Sequence, residues 1–543
     1  MFQKNNSVRV GKVVCRLGFN VFGFGGFRFR WNRAYLSGFC INSKRMNPHI
    51  TVVGESGVGK SNAIKIIVER LCQNGANAII LDPHNEYLGA AEAISAGIYD
   101  AAYNGINIFD LDGMSEREKA SELSSMFRRN FRLGDVQTYL LYRCIMNMYS
   151  YCGQQGKSPN IHGLAQTIRV FKANAKPGEK GILESLERRM SVIETASFAK
   201  TVNIDNIIKS SSLFLLSGLH TAEAQAIYLE GFLRKVYAKM LTLEKTGHPF
   251  LYVVIDEAEK LGDNPILGKI AAEGRKYGIG IIAAAQRSKS VDKDLRNNSS
   301  LVVSFYQREP EELNYISNFI SGGNELGRFT EVKKGLRGLQ KGYAMVVDSG
   351  QKEPFIVHFD RFERENKSAN FSIIQLCRPG IRRQELYATL LKSFDEHEIS
   401  NNIDQLLANG SVASYMIEKG MYAGTWYMSG PRNSAEHDIC VSIINRHLGT
   451  WKIYNKIYNS SYGPDVIAFA SGRKIAIEYE TGMKNINDTK EMLNKRLLYY
   501  PMVIVVVNDR FHGVYSESFP TLNIVKFSEI DDVCKTIRMP AAA

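Results

Sequence analysis

Gly54-Glu55-Ser56-Gly57-Val58-Gly59-Lys60-Ser61 is the stretch that decides the fold of this chain. It has the spacing GxxxxGK(S/T), and it stands between a short apolar segment and a helical pattern that begins at Lys60. Glycines let backbone N–H groups curl around phosphate oxygens, and the start of a helix adds partial positive charge. The lysine reaches the β- and γ-phosphates, and the serine hydroxyl ligates Mg²⁺. The stretch, extended to Asn62, therefore predicts a site for ATP and Mg²⁺.

Acidic and amide side chains stand where later apolar segments end. Asp256 and Glu257 follow one such segment, and Gln286 follows the next. Asp256 is expected to support the metal, Glu257 to act as general base toward the attacking water, and Gln286 to touch the γ-phosphate. The alternatives are an acidic pair that caps a strand and an amide bonded to a loop. The segment Asp82–Tyr87 ends another strand at the edge where open α/β sheets place ligands.

Apolar segments alternate with helical patterns between residues 48 and 365, which is typical of a parallel α/β core. Buried strands are expected at 50–53, 78–81, 212–217, 250–255, 280–285 and 301–305, and a closing pair at 342–347 and 355–358. Helical periodicity indicates an insertion over about 114–205. Residues 1–47 are expected to form a short basic segment of short strands with glycine turns.

Charge is unevenly distributed over the 543 residues, whose net charge is +13. The first 50 residues contain no Asp or Glu, and their cations are Lys4, Arg9, Lys12, Arg16, Arg28, Arg30, Arg33, Lys44 and Arg45. Interleaved aromatic residues, such as Phe22 and Trp31, suit a phosphate-rich partner, either a nucleic acid or a membrane surface. The alternative is a solvated pair of twisted strands.

Cysteine usage and hydropathy indicate where in the cell the protein is expected. The eight cysteines include no CxxC pair, so neither a zinc ribbon nor a disulfide scaffold is indicated. No apolar stretch approaches the roughly 20 residues of a membrane-spanning helix. We therefore expect a cytoplasmic location, or a peripheral one at a membrane.

The segment from about 48 to 360 resembles the HerA/FtsK branch of additional-strand P-loop ATPases, and within it HerA and the type IV secretion ATPases. The matching residues are Gly54–Asn62, Asp82–Tyr87, Asp256-Glu257-Ala258, Glu273–Gly280 and Gln286-Arg287. The resemblance implies a RecA-like core and a hexameric ring that drives double-stranded DNA through a central channel with ATP. This chain departs from the pattern at Asn85, which replaces a glycine, and at Glu55-Ser56, which replace a small residue and a threonine.

The resemblance also implies an arginine supplied by the neighbouring subunit, for which Arg275 and Arg308 are the candidates. A surface ion pair is the alternative for each arginine. The loop after Gln286 carries cations that are expected to contact DNA in the channel, with a solvated loop as the alternative: Arg287, Lys289, Lys293 and Arg296. HerA proteins carry a larger N-terminal barrel, so the resemblance leaves open whether a nuclease partner docks here.

Composition changes beyond residue 365. Two short helical patterns, 384–393 and 399–409, precede two strand patterns, 412–415 and 424–428. This order is typical of a winged helix and predicts such a domain over 366–432. A helical linker with a hairpin is the alternative.

A third unit, 433–543, carries a group of acidic residues. Asp465 follows a turn, and Glu478 and Glu480 lie on one strand, where alternation turns both to the same face. Clustered carboxylates repel each other unless a cation neutralises them, so Mg²⁺ or Mn²⁺ is the expected occupant, with Asp465 and Glu478 as ligands. Such a metal could activate water against a phosphodiester, which makes all three residues candidate catalytic residues.

The region 433–537 resembles the PD-(D/E)xK nuclease fold, as found after a winged helix in replication-relaxation proteins of mobile elements. Glu436 matches the accessory acid of the fold, with His437 beside it. Glu480 replaces the lysine of the motif, and Lys490 and Lys495 could supply that lysine from the next helix. An inactive version that binds DNA or docks a partner is the alternative.

Together these patterns predict an ATP-driven double-stranded DNA translocase or helicase, a homo-oligomer and by resemblance a hexamer, with a fused nuclease-like domain. The alternative is a conjugation or type IV secretion motor whose C-terminal domain only binds DNA or partners. A nuclease or secretion partner would accompany the respective function.

Overall fold

The computed structural model describes most of the chain, which divides into two compact units, one up to residue 368 and one that begins at Ala369. The described residues are 7–22, 26–45, 47–102, 104–195, 200–262, 264–322, 327–351, 353–363, 369–377, 380–408, 410–429, 434–451, 453–457, 464–470, 473–482 and 485–538. No helix within these ranges is both long enough and apolar enough to cross a membrane.

The strands along the first part of the chain are β1 (Ser7–Phe22), β2 (Gly26–Asn42), β3 (Ile50–Val53), β4 (Asn77–Asp82), β5 (Gly97–Asp100), β6 (Asn104–Gly105), β7 (Lys200–Thr201), β8 (Ser212–Leu215), β9 (Leu251–Ile255), β10 (Ile279–Ala285), β11 (Leu301–Ser304), β12 (Tyr343–Asp348) and β13 (Phe355–Phe359). Eleven of them form one sheet in the order β2-β1-β13-β12-β11-β3-β10-β9-β4-β8-β5. The strands from β11 to β5 run parallel, and β12, β13, β1 and β2 extend the sheet in antiparallel pairs.

The helices of this unit are α1 (Lys60–Gln73), α2 (Leu88–Ala93), α3 (Glu116–Phe131), α4 (Asp135–Gln155), α5 (Ile161–Ala173), α6 (Pro177–Thr195), α7 (Ile204–Ile207), α8 (Ala222–Met240), α9 (Pro265–Glu273), α10 (Lys293–Asn298), α11 (Pro310–Ser321) and α12 (Arg328–Arg337). The helices α3 to α6 are the predicted insertion. Every residue of β3, β9 and β10 is buried, as expected of central parallel strands covered on both faces.

The amino-terminal segment differs from the prediction of several short strands. It forms two long strands, β1 and β2, which pair along their length, and β1 also pairs with β13. The register shifts between Arg9 and Gly11 and again between Val13 and Cys15. Such bulges break the alternation of inward and outward side chains, which is why the sequence pattern is typical of shorter strands.

The second unit contains α13 (Ala369–Cys377), β14 (Ile381–Arg382), α14 (Arg383–Leu390), α15 (Glu396–Ala408), β15 (Val412–Ile417), β16 (Gly424–Ser429), α16 (Ala435–Thr450), β17 (Tyr454–Ile457), β18 (Val466–Ala470), β19 (Arg473–Glu480), α17 (Ile486–Leu497), β20 (Met502–Val507), α18 (His512–Ser518), β21 (Asn523–Lys526) and α19 (Asp531–Arg538). The predicted helix, helix, strand, strand order is present as α14, α15, β15 and β16. The short strand β14 joins them in a three-stranded sheet, order β14-β16-β15.

A five-stranded sheet, order β17-β18-β19-β20-β21, forms the centre of the remaining part. The pairs β17-β18 and β18-β19 are antiparallel, and β19, β20 and β21 are parallel. One face, with Ile477 and Tyr479, packs with residues of α16 and α19. The other face, with Ala476 and Val505, packs with residues of α17 and α18.

Candidate functional site

The carboxyl ends of four neighbouring parallel strands bring the predicted nucleotide-site residues together. Gly54 follows β3, Gln286 follows β10, Asp256 follows β9, and Asp82 ends β4. A cavity at this edge is lined by Ser56, Gly57, Gly59, Lys60, Ser61, Asn62, His84, Glu86, Asp256, Glu257, Glu259, Ala285 and Gln286. Distant parts of the sequence therefore form one polar site, at the edge where open α/β sheets bind ligands.

The glycine loop is shaped by close approaches that only glycine tolerates. Gly54 has φ 155°, and a Cβ atom there would lie 2.6 Å from Cβ of Phe305. Gly59 has φ 117° and is the N-cap of α1, with no side chain that caps the helix. The first N–H groups of α1 are therefore available to an external acceptor such as a phosphate oxygen.

Lys60 lies against the same loop. Its Nζ donates to the backbone oxygens of Gly54 at 2.6 Å and Glu55 at 2.7 Å. Burial lowers the pKa of Lys60, and the carboxylates of Asp256 and Glu259 oppose that shift. The ammonium thus stands between the loop and the acidic side of the cavity.

Asp256 is 7% exposed and lies near a second buried acid, Asp82. Burial and the charge of Asp82 raise the pKa of Asp256 to about 6. Asp82 accepts hydrogen bonds from the backbone N–H groups of His84, at 3.0 Å, and Tyr87, at 2.9 Å. These bonds hold the predicted Asp82–Tyr87 segment in a turn that points His84 into the site.

Glu257 is held by two basic side chains, His84 and Lys260, that the sequence did not reveal as its partners. Its Oε1 lies 2.8 Å from Nε2 of His84, and its Oε2 lies 2.7 Å from Nζ of Lys260. Burial opposes ionisation of Glu257, but the bonds to Lys260 and His84 outweigh it and lower the pKa. The residue has φ 54°, a left-handed conformation that is unfavourable for a side chain larger than glycine. The contacts with Lys260 and His84 keep this carboxylate ionised, so it can accept a hydrogen bond from a water molecule in the cavity.

A further acid, Glu259, was also missed. Its Oε1 accepts the backbone N–H of Gln286 at 3.2 Å, whereas its Oε2 is buried without a hydrogen-bond partner. Gln286 itself is exposed, and its side chain lines the cavity. The two residues that follow Asp256 and Glu257 in the sequence, Ala258 and Glu259, begin a short 3₁₀ turn that returns to the site.

The residues present fit a magnesium nucleotide. The glycine loop and the uncapped helix α1 supply N–H donors for phosphates, and Lys60 supplies a positive charge. Ser61 and Asp256 supply oxygen atoms of the kind that Mg²⁺ prefers. The unpaired Oε2 of Glu259 is a buried polar atom that a water or ligand donor would satisfy.

Three further residues that the sequence assigned to the nucleotide site, Asn62, Arg275 and Arg308, have other surroundings. Asn62 lines the cavity, but its amide bonds the backbone of Asp360 and Phe362, both at 2.9 Å, and so ties α1 to the end of β13. The backbone N–H of Arg308 donates to Oε1 of Glu55 at 2.5 Å, which places Arg308 beside the loop of its own subunit. Arg275 precedes β10 and therefore lies at the opposite edge of the sheet from Gln286.

The cations after Gln286 fall into two classes. Arg287, Lys289 and Lys293 are exposed, with Arg287 3.5 Å from Glu309 and Lys289 3.4 Å from Glu311. Arg296 is only 4% exposed; its Nη1 donates to the Ser288 oxygen at 2.6 Å. The prediction that Arg296 contacts DNA is wrong, because its guanidinium is used inside the fold.

The amino-terminal hairpin keeps its charge on the surface but not its aromatic rings. Arg9, Lys12 and Arg33 are exposed. Phe29 is 7% exposed, and the indole N–H of Trp31 donates to the Glu331 oxygen at 3.0 Å. The Phe29 ring is therefore buried, and Trp31 is half-buried against the residues around Glu331; the side chains of Phe22, Phe24 and Phe27 lie outside the described residues.

The predicted carboxylates of the second unit lie just before β18, at Asp465, and on the neighbouring strand β19, at Glu478 and Glu480. Oδ2 of Asp465 accepts the backbone N–H of Tyr479 at 2.7 Å, and Oδ1 lies 3.3 Å from Nε2 of His437. Glu478 and Glu480 are 3% and 1% exposed. Within the described residues, no group of three or more His, Cys, Asp or Glu side chains is arranged to hold a metal ion. The residues present therefore do not fit the Mg²⁺ or Mn²⁺ site predicted at Asp465 and Glu478.

The basic residue of α17 that bonds Glu478 is an arginine, Arg496, rather than one of the predicted lysines. Arg496, at the end of α17, bonds Glu478 through its Nε. Lys490 is exposed, and Lys495 is exposed and pairs with Glu491 at 2.6 Å. Neither lysine is seen bonded to Glu478 in the described contacts, where Arg496 takes that place. Glu436, the predicted accessory acid, instead accepts from Tyr479 Oη at 3.1 Å and from Asn508 at 2.7 Å.

Comparison with protein families gives one match within the first unit. Residues 37–236 match the family described as "Helicase HerA, central domain". The matched part contains the glycine loop and Asp82–Tyr87, and it ends before Asp256. This part of the chain is therefore similar to the central domain of HerA helicases.

Curated relatives agree with this match at low identity. The chain is 24% identical over 379 residues to the DNA double-strand break repair helicase HerA of Sulfurisphaera tokodaii, covering 65% of this chain and 72% of that protein. It is 22% identical over 381 residues to the helicase of the same name from Pyrococcus furiosus, covering 58% and 65%. Among solved structures, VirB4 of Thermoanaerobacter pseudethanolicus overlaps 58% of this chain and 90% of its own, with 16% identity and a TM-score of 0.46.

Proposed function

We propose that this chain is an ATP-driven translocase of double-stranded DNA that works as a homo-oligomeric ring, by family resemblance a hexamer. The observation that carries the proposal is the cavity in which the glycine loop and Lys60 face Asp256, Glu257 and Gln286. A nucleotide-hydrolysing site needs hydrogen-bond donors for phosphate on one side and carboxylates for Mg²⁺ and water on the other.

Each side chain has a distinct task in this proposal. Lys60 neutralises the β- and γ-phosphates, while Ser61 and Asp256 hold Mg²⁺, which neutralises charge that develops during phosphoryl transfer. Glu257 accepts the proton of the attacking water, with His84 and Lys260 fixing its orientation. Gln286 contacts the γ-phosphate and transmits its loss to the loop that begins at Arg287.

The two candidate arginines suit different roles. Seven residues of β10 separate Arg275 from the nucleotide edge, a distance of about 20 Å at the rise of a β-strand. Arg275 can therefore serve only the nucleotide of a neighbouring subunit. Arg308 lies beside its own loop and suits the nucleotide of its own subunit.

For the second unit we propose a winged helix over 366–432 and a domain of the PD-(D/E)xK nuclease fold over 433–543. The order α14, α15, β15, β16 supports the first assignment. The order α16, β17, β18, β19, α17, β20 supports the second, since it sets a mixed sheet between helices with Asp465 and Glu478 on adjacent strands. The nuclease-like domain is proposed as the part that engages the DNA or a partner near the motor.

The test is ATP turnover with and without linear double-stranded DNA, together with displacement of a third strand annealed to that DNA. We expect DNA to raise turnover and ATP to drive displacement, and Lys60→Ala to lose both. Lys157→Ala, an exposed lysine between α4 and α5, is the matched control and should behave as wild type. Turnover that ignores DNA but responds to membrane or pilus components would instead support the secretion motor.

A further inference from the structure

The carboxylates of the second unit form a cluster, defined here as Asp465, Glu478 and Glu480. Burial, and next the negative charge of Asp465, raise the pKa of Glu478 above its usual value, and Arg496 opposes that rise. Repulsion in a cluster of this kind is relieved by a bound proton, by a bound cation, or by basic side chains of the chain itself. The described contacts show two basic side chains that reach the cluster.

The first is Arg496. Its guanidinium bonds Glu478, and the two side chains are 11% and 4% exposed. Leu493, one helical turn earlier on α17, packs in the same apolar group as Ala476, which shares a strand face with Glu478. The helix therefore anchors Arg496 over this face, and an arginine keeps its charge at every physiological pH.

The second is His437. Its Nε2 lies 3.3 Å from Asp465 and its Nδ1 lies 2.9 Å from Asp438, with 14% of its side chain exposed. Burial opposes its protonation, but hydrogen bonds to Asp438 and Asp465 raise its pKa to about 10. Both oxygens of Asp465 are therefore engaged, one by the imidazole of His437 and the other by the backbone N–H of Tyr479.

We infer that Arg496 and His437 take the place of the divalent metal in this cluster, and that the domain therefore engages its partner without metal-dependent cleavage of DNA. A Mg²⁺ or Mn²⁺ ion needs several free oxygen atoms, whereas Glu478 is bonded by Arg496 and both oxygens of Asp465 are engaged by His437 and the Tyr479 N–H. The inference concerns only the second unit and does not depend on the motor activity.

Counting bound Mn²⁺ tests this inference. Free Mn²⁺ is measured by its electron paramagnetic resonance signal as it is added to the full chain without nucleotide. Wild type and Glu478→Gln should bind the same amount, because Glu478 holds no metal. Arg496→Ala should bind Mn²⁺ at least about 10-fold more tightly than wild type, since it leaves uncompensated carboxylates. Adding Asp465→Asn to Arg496→Ala should remove that gain.

Lys495→Ala is the matched control, because Lys495 precedes Arg496 but is exposed and pairs with Glu491. It should bind Mn²⁺ as wild type does. A folded Arg496→Ala without the gain would overturn the inference. So would a wild-type Mn²⁺ site that Glu478→Gln removes, and that comparison decides the question even if Arg496→Ala fails to fold. Mn²⁺-dependent cutting of DNA that requires Asp465 would also overturn it.

Discussion

The nucleotide site and the carboxylate cluster both place acids on adjacent strands of a sheet, yet they differ in what surrounds those acids. Glu257 is bound by His84 and Lys260 and still has 21% of its side chain exposed, facing a cavity. Glu478 is 4% exposed at the side chain and is covered by Arg496. The first arrangement leaves room for a ligand, and the second is closed by the chain itself.

The difference teaches that paired acids alone do not define a metal site. In the first unit the acids face a glycine loop and a helix start without a side-chain cap, whose N–H donors are free for water or for an anion from outside. In the second unit the donors nearest the acids are an arginine, a histidine and a backbone N–H of the same chain. Mutations at either site can therefore change stability, but only those in the first site should change ATP turnover.

The largest expected effect is that of Glu257→Gln on ATP turnover. A glutamine keeps the shape but cannot take a proton, so kcat should fall by about 10² to 10⁴, the range of general-base catalysis. ATP affinity and thermal stability should stay near those of wild type, because the glycine loop and Lys60, which bind the phosphates, are unchanged. Single-turnover hydrolysis and equilibrium binding of a fluorescent ATP analogue measure the two quantities.

Glu259→Gln is the control for this prediction, since Glu259 lines the same cavity and lies two residues further along. It should lower kcat much less, as its Oε1 serves the Gln286 backbone rather than the attacking water. An equal or larger loss in Glu259→Gln would assign the base to Glu259 and would contradict the role proposed for Glu257.

The nucleotide site could be predicted from sequence because each of its parts has a short, continuous sequence pattern. The glycine loop lies between a strand and a helix within about twenty residues, and Asp256 and Gln286 each follow a continuous apolar run. Central parallel strands are buried on both faces, so their apolar runs stand out in a sequence. The strands β3, β4, β8, β9, β10 and β11 were predicted for this reason.

Long-range pairing could not be predicted in the same way. The strand β1 joins the sheet through β13, which lies more than 300 residues later, and no local pattern records that pairing. Arg496 reaches Glu478 only because α17 folds back over β19, and charge alone did not distinguish it from Lys495. The burial of Arg296 could not be predicted for the same reason. An arginine in a basic loop is expected to be exposed, and only the structure shows that its guanidinium bonds the Ser288 oxygen.

The next expected effect is a difference in how the two sites respond to pH. The pKa of Asp256 is about 6, against an ordinary value of 3.8, so the folded chain keeps a proton that the unfolded chain releases. Stability from this group therefore falls as pH rises from about 4 to about 6. Asp256→Asn should remove the loss and be more stable than wild type at pH 7 by up to about 3 kcal/mol.

His437 titrates in another window. Its pKa rises from 6.5 to about 10, so its stabilising effect is complete below pH 6.5 and is lost as pH rises through about 10. His437→Gln should cost about 1.5–3 kcal/mol at pH 6, the range for hydrogen bonds to charged groups, and nothing above pH 10. Urea-dependent hydrogen exchange, read on peptides of each unit separately, measures both effects. A pH-independent cost of His437→Gln would mean that the imidazole is neutral and the cluster is not closed by it.

The smallest expected effect is a change in the salt dependence of DNA binding, which tests whether the loop after Gln286 binds the DNA backbone. Arg287 is exposed and only 3.5 Å from a single carboxylate, so it can turn to a phosphate at little cost. If it binds a DNA phosphate, Arg287→Gln should reduce the slope of log K against log salt by about 0.9, the value for one phosphate that is no longer neutralised. Arg296→Gln should lower stability and leave that slope unchanged, because its guanidinium is internal. Fluorescence anisotropy of labelled duplex DNA over a salt series measures the slope.

Arg117→Gln, on the exposed face of α3, is the control for this salt series and should keep the slope of wild type. An unchanged slope in Arg287→Gln, Lys289→Gln and Lys293→Gln alike would mean that this loop does not bind DNA. The charge that holds DNA would then have to be sought on the amino-terminal hairpin or in the second unit. Within the second unit the exposed cations would be the ones to test, because Arg496 and His437 are already committed to its own carboxylates.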